Sequence, residues 1–408
     1  MKNYNEWSQM AAALSLKTQA YIDGGYRPAA DGATLDTINP ATEQVIAAVA
    51  SCGDIDVELA VSAARRSFTS GCWSQRTPAD RKRVLLCFAD LVEHHSEELA
   101  LLDTLDMGKP IADSLGFDLP STVETIRWSA ESIDKVYGEI APTGDEALAL
   151  IQREPIGVVA AIVPWNYPLM MASWKFAPAL AAGNSVILKP SEKSPLSALR
   201  LAELATEAGV PDGVFNVLPG YGHTVGKALA LHLDVDVLAF TGSTAVAGQL
   251  MQYAGQSNLK RVWLEAGGKS PCIIFADCKD LEAAAATSAY AIFSNQGEVC
   301  IATSRLYVEE SIREPFMKLL LQEAAKFVPG DPLDPATNMG PLVDRQQLDR
   351  VCAYVASGAE EGARLLVGGE PTSVQGKGYY LSPTIFDQTH ETMKVVREEI
   401  FGPVLAVD

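Results

Sequence analysis

The stretch IGVVAAIVPWNYPLMMASWKFAPALAAGNSVILKP, Ile156 to Pro190, decides the fold. Its first eight residues form a short apolar run rich in β-branched side chains, which predicts a strand buried on both faces. PWNYP interrupts it, because proline lacks the backbone N–H that a strand or helix interior uses. From Pro168 an apolar run reaches Gly183, which predicts a helix with proline at its start and glycine just past its end. SVILKP then returns to a strand. Strand, helix and strand in this order make a parallel unit with a crossover helix.

The alternation continues outward. A helix from Pro195 to Ala208, the strand GVFNVL, a helix after Gly222 and the strand VDVLAF follow. A sheet built this way takes its ligands at the carboxyl ends of its strands. VPWN, KPSE, PGYG and TGST all fall there. The twenty uncharged residues Pro155–Trp174 are long enough to span a membrane. Three prolines and Asn166 within them favour a buried strand, a turn and a helix instead.

Upstream, YIDGGYRPAADGATLDTINPAT (Tyr21–Thr42) is a lead rich in turn formers, and helices are expected at Ile55–Phe68, Ala79–Leu102 and Thr122–Val136. The alternation in ALALIQRE predicts a strand between Tyr137 and Glu154. A new unit is expected after Ala254, with strands RVWLEA and PCIIFA and a helix from Leu281 to Phe293. The last residues, EEIFGPVLAVD, read as an apolar strand with nothing capping it, which predicts a chain that stops within a domain.

At 408 residues the chain exceeds one ordinary core, so two or three domains are expected. With 32 basic against 51 acidic residues the net charge is −19. That field repels phosphate backbones and anionic membranes, which argues against nucleic acid and membrane partners. The seven cysteines are odd in number, scattered and without CxxC pairs, so neither a disulfide framework nor a metal site is expected. No basic run precedes an apolar segment at the N-terminus. A reducing compartment, the cytoplasm, fits both observations.

FSNQGEVCIA, Phe293–Ala302, places Cys300 where a polar turn meets an apolar pair. Buried structural thiols are the commoner kind. A nucleophile also needs a base, and the five histidines, His94, His95, His223, His232 and His390, lie in surface-like contexts. Glu265 in WLEAGGK is the remaining base, an acid ending an apolar strand, where desolvation would suit it to proton transfer near neutrality; a solvated strand end is the alternative. LPGYGHTVG offers Gly220, Gly222 and Gly226, one residue off the dinucleotide fingerprint. FTGST would open a helix whose free N–H groups can hold a phosphate. Lys189 and Glu192 of LKPSE are either ends of a nucleotide-ribose site or a solvated loop.

VPWNYP, LKPSEKSP, FTGST, LEAGGKSP, NQGEVC and EEIFGPV, in this order, resemble the NAD(P)-dependent aldehyde dehydrogenase superfamily from about Tyr21 onward. IRWSAESIDKVYGE and the run from Glu154 to Ala230 look most like its bacterial γ-glutamylaminobutyraldehyde and guanidinobutyraldehyde members. The resemblance implies an α/β fold: a Rossmann-type parallel-sheet cofactor domain (1–136 and 155–254), a small β oligomerisation arm (137–154) and a second α/β catalytic domain (255–408), C-terminally incomplete. It implies Cys300 as nucleophile, Glu265 as general base, Asn166 as oxyanion donor and Lys175 as a proton conduit. NAD is the implied cofactor, held by Trp165, Lys189, Glu192, Gly222, Gly226, Gly242, Ser243, Glu399 and Phe401. A carboxylate at Glu192 accepts hydrogen bonds from both ribose hydroxyls and repels a 2′-phosphate, hence NAD over NADP.

The implied reaction oxidises an aldehyde, with an ω-amino-, γ-glutamylamino- or guanidino-aldehyde expected, through a cysteine thiohemiacetal and thioester. Tyr167, Trp174, Val299 and Ile301 match the family's tunnel lining, with plain core as the alternative, and Asp106 would attract a cationic end at the tunnel mouth. No metal is expected. The partners implied are the aldehyde and further copies of the chain, as a homo-dimer or homo-tetramer. The competing readings are a non-catalytic cofactor-binding scaffold, another aldehyde such as an aliphatic one or a semialdehyde, and a cofactor-free cysteine esterase.

Overall fold

A computed structural model describes residues 1–408. The lead holds β1 (Ala20–Ile22), β2 (Gly25–Arg27), β3 (Thr34–Asn39) and β4 (Gln44–Ala50). A hairpin pairs β5 (Glu139–Ala141) with β6 (Ala149–Ile151). Next come β7 (Val158–Ile162), β8 (Ser185–Lys189), β9 (Phe215–Val217), β10 (Val237–Gly242) and β11 (Arg261–Ala266). The last third carries β12 (Pro271–Ile274), β13 (Arg305–Val308), β14 (Arg364–Val367), β15 (Pro371–Val374), β16 (Lys377–Leu381), β17 (Thr384–Asp387) and β18 (Val404–Val407).

The first sheet runs β11-β10-β7-β8-β9-β1-β2, parallel from β11 to β9, with β1 and β2 antiparallel at one edge. Along β7, Val159 and Ala161 join one hydrophobic cluster while Val158, Ala160 and Ile162 join another on the opposite face. That double burial is why IGVVAAIV is a continuous apolar run. The second sheet runs β12-β13-β18-β17-β14, with only β14 antiparallel to its neighbour.

Three expectations meet a different arrangement. The strand at 261–266, expected to open the second unit, pairs in parallel with β10 and ends the first sheet, so the change of sheet falls between Ala266 and Pro271. The single helix expected at 79–102 is two, Pro78–His94 and Ser96–Met107, hinged at His95. His95 leaves helical geometry at φ −95° and ψ 17°, and its ring lies 2.9 Å from Glu98 in the second helix. The lead is more ordered than its turn formers suggested, with β3 and β4 in antiparallel register. No helix is long and apolar enough to cross a membrane.

The hairpin β5–β6 stands apart from these cores. Tyr137, Ile140, Leu148 and Leu150 on or beside it are exposed.

The helix Ser96–Met107 buries two acids. Burial pushes the Asp103 carboxyl up to about 8 and Asp106 up to about 7. Neither oxygen of Asp103 has a hydrogen-bond partner. Both groups hold protons more tightly folded than unfolded. Their contribution is therefore full below about pH 4 and disappears as pH rises to about 8. Asp103→Asn cannot ionise, so it is expected to raise the melting temperature relative to the parent at about pH 8.5 more than at about pH 5. A difference in calorimetric Tm that does not vary with pH would contradict the assignment.

Candidate active site

The site forms where strand ends of the first sheet meet a loop and a turn of the second unit. After β7 the chain turns through Pro164, Trp165 and Asn166 into the helix Pro168–Ala181, with Pro168 at its first position, where a missing N–H costs nothing. This places Asn166, which is buried, at the carboxyl end of β7. Its Nδ2 donates to the Glu298 carbonyl at 2.8 Å. β10 delivers Gly242 and Ser243. Ser243 caps the helix Thr244–Gln256, its Oγ accepting from the Val246 N–H at 3.3 Å. β11 delivers Glu265.

From the second unit, the helix Leu281–Phe293 ends in a buried turn with three consecutive left-handed residues: Asn295 (φ 47°), Gln296 (φ 57°) and Gly297 (φ 71°). Glycine adopts this geometry freely, and no other residue fits the third position, since a Cβ on Gly297 would lie 2.2 Å from the Gly402 carbonyl oxygen. The two non-glycine residues are held by their side chains. Asn295 Nδ2 donates to the carbonyls of Asn166 (3.2 Å) and Glu298 (3.3 Å), and Gln296 Oε1 accepts from the Gly340 N–H at 3.1 Å. The turn presents Cys300, half-buried.

Cys300, Glu265 and Asn166 line one cavity of about 780 Å³. Trp165, Tyr167, Trp174, Val299, Ile301, Gly242, Ser243, Glu399 and Phe401 line it too. Phe401 (φ 61°) sets its ring edge-to-face against Trp165, 5.3 Å between centroids. Glu399 accepts from the Gly268 N–H at 3.3 Å, and Gly267 lies so close that a Cβ there would sit 1.9 Å from Glu399 Oε2. Burial pushes the Cys300 thiol up, and the Glu265 charge adds to that effect. Both effects favour the thiol over the thiolate.

Lys175 lies behind this wall. Trp174, Thr241 and Glu265 border both the main cavity and a second hollow of about 750 Å³, which Lys175 also lines. Its Nζ donates to Thr241 Oγ1. Burial pulls the ammonium down to about 8, against the attraction of Glu265 and Cys300. It can therefore exchange a proton near neutrality.

Other expected residues lie elsewhere. Lys189 and Glu192 do not line the main cavity; they pair with each other at 3.2 Å at the end of β8. Burial works against the Glu192 charge, but Lys189 holds its pKa below the usual carboxylate range. Gly222 and Gly226 bound a five-residue π-helix outside the cavity. Asp106 is a correction: it is buried and faces no tunnel, its oxygens accepting from Thr37 Oγ1 (2.5 Å) and the Leu196 N–H (2.9 Å). Glu265 lies exposed on β11, an edge strand of the first sheet.

Several lining residues carried no motif. Gln347 Nε2 donates to the Phe401 carbonyl at 2.6 Å, and Arg350 to the Glu399 carbonyl at 3.0 Å. Both come from the helix Arg345–Glu360, whose amphipathic pattern was the only available signal. Phe117 reaches the cavity from a π-helix, Ser114–Asp118. No cluster of three or more His, Cys, Asp or Glu side chains suits a metal ion.

A model of the aldehyde dehydrogenase family matches residues 26–408. The NADP/NAD-dependent aldehyde dehydrogenase PuuC of Escherichia coli (strain K12) is 54 % identical over 401 residues, 98 % of this chain and 80 % of its own length. Among solved structures, the indole-3-acetaldehyde dehydrogenase AldA of P. syringae, in complex with NAD+ and IAA, superposes with a TM-score of 0.99 at 57 % identity. It covers all of this chain, which spans 82 % of it. A γ-glutamyl-γ-aminobutyraldehyde dehydrogenase from Burkholderia cenocepacia gives 0.98 at 53 % identity, with the same coverage.

Proposed function

The chain belongs to the aldehyde dehydrogenase family, and from this premise we propose that it oxidises an ω-amino-, γ-glutamylamino- or guanidino-aldehyde to the acid with NAD. One observation carries the chemistry: Cys300, Asn166 and Glu265 line a single cavity, although they come from three separate elements. An aldehyde carbon must become tetrahedral before it can release a hydride. Cys300 as thiolate attacks it, and the charge that forms on oxygen is met by the Asn166 amide, worth about 3 kcal/mol in comparable holes. Once that carbon has released its hydride, the acyl group is left on sulfur as a thioester, which is open to water. Glu265, exposed on β11, has access to that water and takes its proton, releasing the acid. Lys175, behind Glu265, carries the proton onward.

The cavity suits a dinucleotide. Ser243 opens a thirteen-residue helix at its wall, where unpaired N–H groups favour a pyrophosphate. Lys189 and Glu192 would meet the adenosine ribose, Glu192 favouring its free hydroxyls, and Gly222 and Gly226 would flank the dinucleotide. Glu399, Phe401 and Trp165 would bracket the nicotinamide end. When bound, NAD supplies the hydride acceptor.

The substrate class rests on the likeness to the γ-glutamyl-γ-aminobutyraldehyde enzyme. A second reading, an arylacetaldehyde, is favoured by the aromatic walls Phe117, Tyr167 and Trp174 and by the likeness to the indole-3-acetaldehyde enzyme. Initial rates of NADH formation over amino-, guanidino-, aryl- and alkyl-aldehydes decide between them. The first reading expects kcat/KM for the amino- and guanidino-aldehydes to exceed that for alkyl aldehydes of equal length by about tenfold or more. Equal values would remove the substrate class and leave the reaction. We further assign the protein to the cytoplasm, where its seven free cysteines stay reduced. The exposed apolar hairpin β5–β6 supports a homo-oligomer.

A further inference from the structure

One fully buried group at the site has no task in that chemistry. Glu298 lies two residues before Cys300 and has no exposed surface. Its Oε1 accepts the Val343 N–H at 3.1 Å, and its Oε2 has no partner. Burial drives its pKa well above the usual carboxylate range, with the Val343 N–H opposing. A carboxyl placed this way acts as an uncharged acceptor clamped to a backbone amide.

The clamp has two ends of consequence. The backbone carbonyl of Glu298 accepts from Asn166 Nδ2 at 2.8 Å and from Asn295 Nδ2 at 3.3 Å. An asparagine amide has two N–H bonds, and with one spent on this carbonyl the other is left for a substrate oxygen. Gln296 adds a parallel tie to the Gly340 N–H at 3.1 Å. The segment Gly340–Val343 thus grips the turn at two points, and none of its residues lines the cavity.

We propose that Glu298 is the positioning residue that sets the oxyanion donor and the nucleophile together: its side chain fixes, through Val343, the peptide that orients the Asn166 amide and leads to Cys300. The inference rests on the roles given above to Asn166 and Cys300. It explains why a polar residue is fully buried in a turn that also stores left-handed strain at Asn295 and Gln296. A displacement of either group by about 1 Å is enough to cost about 10²-fold in rate.

The test compares Glu298→Ala and Glu298→Gln in the full chain, using NADH formation, NAD titration and melting temperature. Glu298→Ala is expected to lower kcat by about thirtyfold or more, with KM and the NAD Kd changed less than about threefold. Glu298→Gln keeps Oε1 as an acceptor and is expected to recover kcat to within about threefold of the parent. A merely structural role would lower Tm while leaving kcat per NAD-binding site unchanged. That result overturns the inference, as does a Gln variant no better than the Ala variant. If Glu298→Ala is not recovered folded, Glu298→Met, which keeps the volume and removes the acceptor, is judged by the same criterion. NADH formation that is absent from the parent, or that survives Cys300→Ala, instead overturns the reading of the site, and this inference with it.

Discussion

Replacing Cys300 by alanine is expected to lower NADH formation from any aldehyde by at least about four orders of magnitude, while one NAD per chain still binds. Of the seven cysteines, Cys300 alone lines the cavity, so no neighbouring thiol can take over. The loss is expected in kcat, because alanine removes the bond that makes the carbon tetrahedral and leaves the walls intact. Residual turnover within tenfold of the parent would exclude covalent catalysis at this position. The raised thiol pKa adds a pH signature in the parent enzyme without NAD. Alkylation of Cys300 by iodoacetamide is expected to keep accelerating above about pH 8.5, where an ordinary thiol is half ionised, because burial and the Glu265 charge both disfavour the thiolate.

Glu265→Gln is expected to separate the two halves of the reaction. Steady-state turnover should fall by about 10²–10⁴, the usual worth of a positioned base. A burst of one NADH per chain should remain, because acyl transfer to Cys300 precedes the step that needs water. The position of Glu265 supports the division: it shares the cavity wall with Cys300 yet is exposed on the edge strand β11, where water reaches it. Rapid-mixing absorbance at the NADH band measures both quantities. If the burst disappears together with turnover, Glu265 acts before the thioester forms and its assignment to hydrolysis fails.

The parallel sheet was legible because its inner strands are buried on both faces. IGVVAAIV and SVILK carry that signal without help from their neighbours, and the turns after them follow from Pro164 and Pro190. The lead was not legible, since β1 and β2 are three residues each among glycines and prolines, too short for a period to register. For β11 the strand itself was clear and its sheet was not. Pairing with β10 is a register between distant segments that local pattern does not encode. At the site, Cys300, Asn166 and Glu265 stood out by chemistry and motif order, and the structure brings them together. Asp106 misled because a carboxylate in LDMGKP was expected to draw a cation at a tunnel mouth, whereas it is buried and bonded to Thr37 Oγ1 and the Leu196 N–H. Glu298 went unnoticed because NQGE reads as a polar turn, and only the approach of Val343 makes its acid an interior group.

The bond from Asn166 to the Glu298 carbonyl joins residues 132 apart in sequence, and the grip of Gly340–Val343 arrives later still along the chain. During refolding, contacts of such long separation close after local helices and hairpins have formed. Recovery of catalysis should therefore trail the recovery of far-ultraviolet ellipticity, with the left-handed turn among the last pieces to settle.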